Sequence, residues 1–146
     1  MEKNELLKLD NQLCFPLYAA AMSVTRLYRP LLEPLGLTYT QYITMMYLWE
    51  KAPCPINMVS AKLMLNTNTL TPLLKKLEKK GFISRMRSQE DERIVLLDIT
   101  PAGWELRGKC ECVPLQLMES VSFSKDDAVK LKELLSVLVA SIQKNI

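Results

Sequence analysis

The chain has 146 residues, a formal net charge of +3 and no histidine. This length favours a single domain with a substantial core, and the absence of histidine excludes Ser-His-Asp catalysis, Cys-His catalysis and imidazole metal ligands. No apolar run approaches the roughly 20 residues of a membrane span, and the N-terminus lacks a signal-peptide core, so we expect a cytoplasmic protein without membrane contacts. In a reducing compartment the four cysteines should be thiols, and no motif calls for a cofactor.

The first long helix is predicted from Asp10 to about Leu32. Pro16 suits its first turn, which puts Cys14 at or just before the helix N-terminus. Its buried stripe is predicted to comprise Leu17, Ala20, Ala21, Val24, Leu27 and Leu31. Pro30, Pro34 and Gly36 then turn the chain.

A second helix should start at the N-cap residue Thr38 and run through Glu50. Its buried positions are predicted to be Ile43, Met46, Tyr47 and Trp49 or Glu50. The segment Pro53-Cys54-Pro55 reads as a rigid loop with an exposed thiol. A short helix over Ile56–Met64 should follow.

The stretch from Asn66 to Thr100 predicts a helix, a turn and a two-stranded hairpin. Asn66, Thr67 and Asn68 are residues that start helices, and Gly81 suits the left-handed position that ends one. The stripe between them comprises Leu70, Leu73, Leu74 and Leu77. Phe82-Ile83 and Ile94–Ile99 are the expected strands, and the polar segment 88–93 is the expected tip. The fold class is therefore mainly α with a small β wing, a winged helix-turn-helix core over about residues 38–99.

Basic residues are concentrated on this helix and its first strand, where the only acid is Glu78. Such a patch on a nearly balanced protein favours binding to DNA phosphates, although a charged helix face is usually only solvated. The predicted phosphate contacts are Lys75, Lys76, Lys79, Lys80, Arg85 and Arg87. Base-edge or phosphate contacts are predicted for Asn68, Thr69 and Thr71.

Two more helices should complete the chain, one from Thr100-Pro101 to about Val121 with a bend at Pro114, and one from Ser124 to about Lys144. The terminal helices, about residues 9–33 and 101–144, carry more apolar surface than a small wing can cover. We therefore expect a single domain, residues 1–146, that forms a two-fold homodimer through these helices. The alternative is that the ends pack only on their own domain.

Four motifs carry a family resemblance: LDNQLCFPLYAA, LYRPLLEPLGLTYTQY, TLTPLLKKLEKKG and DER. Together they resemble the MarR family, and within it the organic-hydroperoxide-resistance repressors (OhrR type). The resemblance implies that Cys14 is a peroxide-reactive cysteine, that Tyr28 and Tyr39 hydrogen-bond its sulfur, and that Tyr18 lies near the same pocket. It also implies that Arg93 enters the minor groove and that Asp91 braces it.

Helix geometry adds a constraint on this implied pocket. Fourteen residues separate Cys14 from Tyr28, or roughly 21 Å along a helix axis. The two side chains cannot touch within one straight helix, so Tyr28 would have to come from the other protomer.

The sequence thus predicts a redox-sensing repressor, not an enzyme, that binds an inverted-repeat DNA operator as a dimer. Organic hydroperoxide would oxidise Cys14 and release the operator, because a thiolate, favoured at a helix N-terminus, is the form that attacks peroxide. Cys110 and Cys112 are candidate resolving cysteines; about 200° apart on a helix, they make a poor metal-binding pair, and no metal site is predicted. The alternatives are a repressor relieved by a small aromatic ligand, a thiol-based metal or electrophile sensor, and a cysteine peroxidase.

Overall fold

The computed structural model describes residues 2–145, so Met1 and Ile146, the outer bounds of the predicted domain, lie outside it. The described part of the chain contains eight α-helices and three β-strands: α1 (Lys3–Leu6), α2 (Cys14–Leu32), α3 (Tyr39–Lys51), β1 (Cys54–Pro55), α4 (Ile56–Leu63), α5 (Thr67–Lys79), β2 (Ile83–Arg87), β3 (Val95–Ile99), α6 (Pro101–Cys110), α7 (Val113–Glu119) and α8 (Lys125–Gln143). Short 3-10 turns lie at Leu9–Asn11 and Glu33–Leu35. The mainly helical fold with a small β wing is confirmed.

The helix starts follow from side-chain caps that satisfy free backbone N–H groups. Thr38 and Gln41 form a capping box: Thr38 Oγ1 accepts from the Gln41 N–H at 3.3 Å, and Gln41 Oε1 accepts from the Thr38 N–H at 3.1 Å. The other caps at predicted positions are Asn66 to the Thr69 N–H, Thr100 to the Gly103 N–H and Ser124 to the Asp127 N–H.

The helix α5 and its termination agree with the prediction. Its four stripe leucines are all buried. Gly81 has φ +83°, a left-handed conformation that a side chain would strain. The Gly81 N–H donates to the Glu78 carbonyl at 2.9 Å and the Phe82 N–H to the Leu77 carbonyl at 3.1 Å, so the last turn of α5 is closed before β2 begins.

The wing is a three-stranded antiparallel sheet in the order β1-β3-β2, not a two-stranded hairpin. Cys54 pairs with Leu97 across β1 and β3, and its side chain is only 2% exposed. The predicted exposed loop at Cys54 was therefore wrong. A strand of two residues, Cys54 and Pro55, is too short to show the alternation of buried and exposed side chains, and its burial comes from β3, which is distant in sequence.

The buried face of α3 also differs from the prediction. The buried residues are Gln41, Tyr42, Thr44, Met45 and Leu48. Of the predicted set, Ile43, Tyr47 and Trp49 are half-buried, whereas Met46 is 45% exposed and Glu50 is exposed. This helix has apolar side chains around most of its circumference, so periodicity does not select a face.

The predicted long helix after Thr100 is broken earlier than Pro114, because α6 ends at Cys110 and α7 begins at Val113. The chain forms two compact units, one up to Val113 and one from Pro114 onward. Within residues 2–145, no helix combines the length and the apolar character needed to cross a membrane.

The predicted buried stripe of α2 is largely uncovered in the single chain. Ala20, Ala21 and Val24 are exposed, Leu17, Leu27 and Leu31 are half-buried, and Leu32 is the only described residue of the helix that is buried. In the second unit, none of the described residues of α8 is buried, and Val129, Leu131, Leu134 and Ile142 are exposed. Burial of the α2 stripe against a second copy of the chain, as expected for a two-fold homodimer, therefore stays a prediction.

Candidate nucleic-acid interface and thiol site

The helix-turn-helix is formed by α4 and α5, which are joined by a tight turn. Met64 ends α4 in the left-handed conformation with φ +55°, and the Ser60 hydroxyl donates to the Leu65 carbonyl. Both helices pack against α3 and against each other. This arrangement holds the N-terminal end of α5 at the surface, as a helix that reads DNA requires.

The predicted reading residues lie at that end of α5. Asn68 and Thr69 are exposed and Thr71 is half-buried. The Thr69 backbone N–H donates to Asn66 Oδ1 at 2.9 Å, so Asn66 is the cap, whereas Asn68 and Thr69 are exposed residues of the first turn. Small polar groups at the start of a reading helix suit contacts with base edges or phosphates.

Four predicted phosphate contacts differ in how much of their charge is available. Lys75 and Lys76 are exposed, and in the described structure no acid lies within ion-pair distance of either. Arg85 instead pairs with Glu78 at 3.3 Å, and Arg87 donates to the Glu92 carbonyl at 2.8 Å. The two arginines therefore hold β2 to α5 and to the wing loop, while the two lysines project from the helix.

The wing tip presents Arg93, whose side chain is 90% exposed. Its guanidinium makes two bonds to the Asp91 carboxylate, Nε to Oδ1 at 3.1 Å and Nη2 to Oδ2 at 3.2 Å. The hydrogen bonds from the Arg93 side chain and backbone lower the pKa of Asp91 from its ordinary value. Ser88 supports the same turn, since its hydroxyl accepts from the Glu90 and Asp91 N–H groups. The tip therefore pairs an exposed arginine with Asp91, while the entry of Arg93 into the minor groove stays a prediction.

Cys14 is the first residue of α2, and it is exposed. Tyr18 follows one helical turn later on the same face and is 61% exposed. The sulfur is thus accessible to small solutes in the single chain.

Tyr28 and Tyr39 lie together, but with a third tyrosine and not with Cys14. The ring centroid of Tyr28 is 5.0 Å from that of Tyr39 and 5.6 Å from that of Tyr42. Burial, and then Tyr39, raises the pKa of Tyr28, while burial, and then Tyr28, raises the pKa of Tyr42 to about 12. Tyr42 was not predicted; the signal for it is its spacing of three from Tyr39, which sets both rings on one face of α3.

The thiol and the tyrosine cluster occupy opposite ends of α2. Cys14 is its first residue and Tyr28 its fifteenth, so the two are about 21 Å apart along the axis. One chain therefore cannot bring this phenol to this sulfur.

The other three cysteines have contrasting surroundings. Cys110 is buried, and burial, followed by Cys112, raises the pKa of its thiol to about 11. Burial, followed by Asp98, likewise raises the pKa of Cys54. Cys112 lies beyond the end of α6 and is exposed. Over the described range 2–145, no three His, Cys, Asp or Glu side chains cluster in a way that could hold a metal ion.

Comparison with known proteins places this architecture in a family. The family model described as transcriptional regulator SarA/Rot matches residues 26–108. The organic hydroperoxide resistance transcriptional regulator of Bacillus subtilis (strain 168) is 40% identical over 144 residues, which span 98% of each chain. A structure of reduced AbfR bound to DNA, a protein of Staphylococcus epidermidis, is similar with a TM-score of 0.83 and 31% identity over 98% of both chains. The crystal structure of MarR, at 19% identity, shares the fold with a TM-score of 0.75 over 90% of this chain and 98% of that one.

The helix-turn-helix and the wing are the DNA-binding elements expected of the proteins that this chain matches. The curated relatives are transcriptional regulators, not enzymes. The chain belongs to the MarR family of DNA-binding transcriptional regulators, in the group of the organic-hydroperoxide-resistance (OhrR) type.

Proposed function

We propose that this regulator is a redox-sensing repressor. Its reduced homodimer binds an inverted-repeat operator, and organic hydroperoxide releases the operator by oxidising Cys14. The observation that carries the proposal is the exposed Cys14 at one end of α2, with Tyr28 and Tyr39 clustered at the other end.

A second copy related by a two-fold axis would join these two ends. If the two α2 helices run antiparallel across the axis, Cys14 of one chain lies beside Tyr28 of the partner subunit, and symmetry repeats the arrangement. The exposed α2 residues Ala20, Ala21 and Val24 supply apolar surface for such a contact. The sensing sites would then lie in the dimer interface, where a change at sulfur alters the separation of the two DNA-reading heads.

The chemistry at Cys14 needs only the hydroperoxide. The thiolate sulfur attacks the outer peroxide oxygen, the S–O bond forms as the O–O bond breaks, and the alkoxide takes a proton to leave as an alcohol. Sulfur is oxidised by two electrons to a sulfenic acid, which condenses with a second thiol to give a disulfide and water. Of the two candidate resolving cysteines, the exposed Cys112 suits this step and the buried Cys110 does not.

On the DNA side, the proposed contacts follow from exposure. The reading end of α5 would enter the major groove with Asn68 and Thr69, and Arg93 would enter the adjacent minor groove. Lys75 and Lys76 would neutralise phosphates. Arg85 and Arg87 would support the wing from within.

Two relatives support this reading. The Bacillus subtilis protein is named for resistance to organic hydroperoxide, and AbfR is described in a reduced form bound to DNA. By likeness to them, the signal for this chain would be a hydroperoxide acting on a thiol.

The test combines DNA binding with mass spectrometry of the intact protein. A duplex is selected from a random library with the reduced wild-type protein, and its binding is followed by fluorescence anisotropy before and after cumene hydroperoxide. We expect the wild type to gain one oxygen atom or one disulfide at Cys14 and to release the duplex, and Cys14→Ser to stay bound. Cys112→Ser distinguishes the two oxidised forms: it should still release the duplex if the sulfenic acid alone suffices, and it should stay bound if a disulfide with Cys112 is required.

Release of Cys14→Ser on oxidation would contradict the proposal. Release of the reduced wild type by an aromatic acid, without oxidant, would instead identify a ligand-relieved repressor.

A further inference from the structure

The last lysine of the basic cluster on α5 is engaged with the protein itself. Lys80 is the C-cap residue of α5, and its ammonium group donates to the Gly36 carbonyl and to Gln41 Oε1, the latter at 3.2 Å. Both acceptors lie about 40 residues earlier in the chain, at the corner between α2 and α3. Lys80 therefore connects the end of the reading helix to that corner.

The corner is a well-defined structure. Gly36 ends the 3-10 turn after α2 with φ +72°, and Gln41 is only 3% exposed. Gln41 Oε1 accepts from the Thr38 N–H and from Lys80 at the same time, so one oxygen serves both the α3 capping box and the lysine. Tyr39, the residue after Thr38, begins α3 and packs its ring against Tyr28.

The acids near Lys80 do not compete for it. Glu78, the only acid of α5, pairs with Arg85 on β2. The two acceptors of Lys80 are neutral oxygens, and hydrogen bonds from a charged donor to such groups are stronger than neutral ones. Lys79, its neighbour, is exposed and makes no ion pair within the described residues.

We propose that Lys80 is a positioning residue of the DNA-reading helix and not a phosphate ligand. It fixes the C-terminal end of α5 to the start of α3. Because α5 is one continuous helix of 13 residues, roughly 20 Å long, a tilt at that end displaces Asn68 and Thr69 at the reading end. The same contact joins the reading helix to the first turn of α3, where Tyr39 lies, so a movement of that turn would be passed to the reading helix through Lys80.

The proposal predicts that loss of the Lys80 contacts lowers the preference for the selected duplex without changing the number of DNA phosphates that the protein neutralises. Affinity of the reduced, full-length protein is measured over a range of salt concentrations, for the selected duplex and for a duplex of the same composition in scrambled order. In Lys80→Met the preference for the selected duplex should fall about tenfold, while the dependence of log K on log salt keeps its slope. Lys80→Arg, which keeps the donors, should restore the preference.

Lys79→Met is the control for charge, because it removes the same charge from the adjacent position without removing these contacts. It should keep the preference for the selected duplex, and as a predicted phosphate contact it should lower the salt slope and weaken both duplexes alike. NMR of the tyrosine rings gives a second measurement: Lys80→Met should shift the Tyr39 resonances, and Lys79→Met should not. Thermal unfolding of each variant shows whether it is folded under the binding conditions.

A phosphate ligand would behave differently. The proposal is overturned if Lys80→Met lowers the salt slope by about one unit and weakens both duplexes equally. It is also overturned if the variant keeps wild-type selectivity, whether or not the Tyr39 resonances shift. None of these outcomes depends on an oxidant, so they are separate from the test of Cys14.

Discussion

The four thiols of this regulator divide into two exposed and two buried groups. Cys14 and Cys112 are at the surface, whereas Cys54 and Cys110 lie in the core of the first unit. Burial raises the pKa of both buried thiols, and a raised pKa lowers the fraction of reactive thiolate at neutral pH. The position of each cysteine in the fold therefore determines which thiols an oxidant can reach.

We expect Cys14 and Cys112 to react with iodoacetamide at about pH 8 well before Cys54 and Cys110. The Cys110 thiol becomes an anion only as the pH approaches about 11, so its alkylation should accelerate steeply over that range. Peptide mapping after timed quenching measures the four rates. Equal rates in the folded protein would show that the core opens readily.

The wing arginine gives a second expectation at this scale. Arg93→Ala should weaken DNA binding and reduce the slope of log K against log salt by about one unit, because one cation leaves the phosphate region. Anisotropy titrations at several salt concentrations measure the slope. Arg107→Ala is the control: Arg107 lies on α6, outside the helix-turn-helix and the wing, and pairs with Glu111 at 3.6 Å, so its loss should leave the slope unchanged. An unaltered slope in Arg93→Ala would exclude this arginine from the DNA surface.

At the scale of single elements, local chemistry predicted most boundaries. The caps at Thr38, Asn66 and Thr100 and the left-handed Gly81 are fixed by neighbouring residues, and each lies where the sequence indicates. The features that could not be predicted, such as the buried side of α3, depend on contacts with residues that are distant in sequence. Met46 and Met45 are chemically identical, yet only Met45 faces the core, because α4, α5 and β3 pack on that side of α3.

The joint between α6 and the reading core is one such distant contact. The Trp49 indole N–H donates to the Gly103 carbonyl at 3.0 Å, which ties α3 to α6. Gly103 also lies against the α5–β2 turn, where the Phe82 carbonyl accepts from the Thr100 N–H at 3.2 Å. The absence of a side chain at Gly103 is what allows this approach.

Gly103→Ala should therefore destabilise the fold. A Cβ atom there would lie 2.2 Å from the Phe82 carbonyl oxygen and 2.7 Å from Ile99 Cγ2, so backbone must move, at a cost of about 1–3 kcal/mol. Gly108→Ala in the same helix is the control. Nothing lies within 4 Å of its added Cβ, and replacing a helical glycine should stabilise by about 0.5–1 kcal/mol. Urea unfolding of both variants checks the opposite signs, and equal effects would contradict the close packing at Gly103.

At the scale of the whole molecule, one chain alone does not show which surface covers the apolar faces of the terminal helices. Val24 in α2 and Leu134 in α8 are exposed in the single chain, and the cover expected for them is a second copy of the chain. Sequence patterns identify an apolar face without saying whether the covering surface belongs to the same chain. The distance between Cys14 and Tyr28 gives a stronger argument for a site between two chains. Both residues lie on the same helix, so their side chains cannot meet within one chain.

This separation leads to a complementation experiment on mixed dimers. Cys14→Ser and Tyr28→Phe should each impair oxidation or release, the first by removing the sulfur and the second by removing a phenol hydroxyl from the surroundings of the sulfur.

In a heterodimer of these two variants, a site built across the interface pairs the intact Cys14 of one chain with the intact Tyr28 of the other. One complete site is then regenerated in each differently tagged heterodimer, and it contains the dimer's one remaining Cys14, so that Cys14 should be oxidised about as fast as in the wild type. If each site were built within one chain, no heterodimer would contain a complete site, and oxidation would stay as slow as in the Tyr28→Phe homodimer. Rapid-quench mass spectrometry of the Cys14-bearing chain distinguishes the two results, with Tyr47→Phe, outside the tyrosine cluster, as the control in place of Tyr28→Phe.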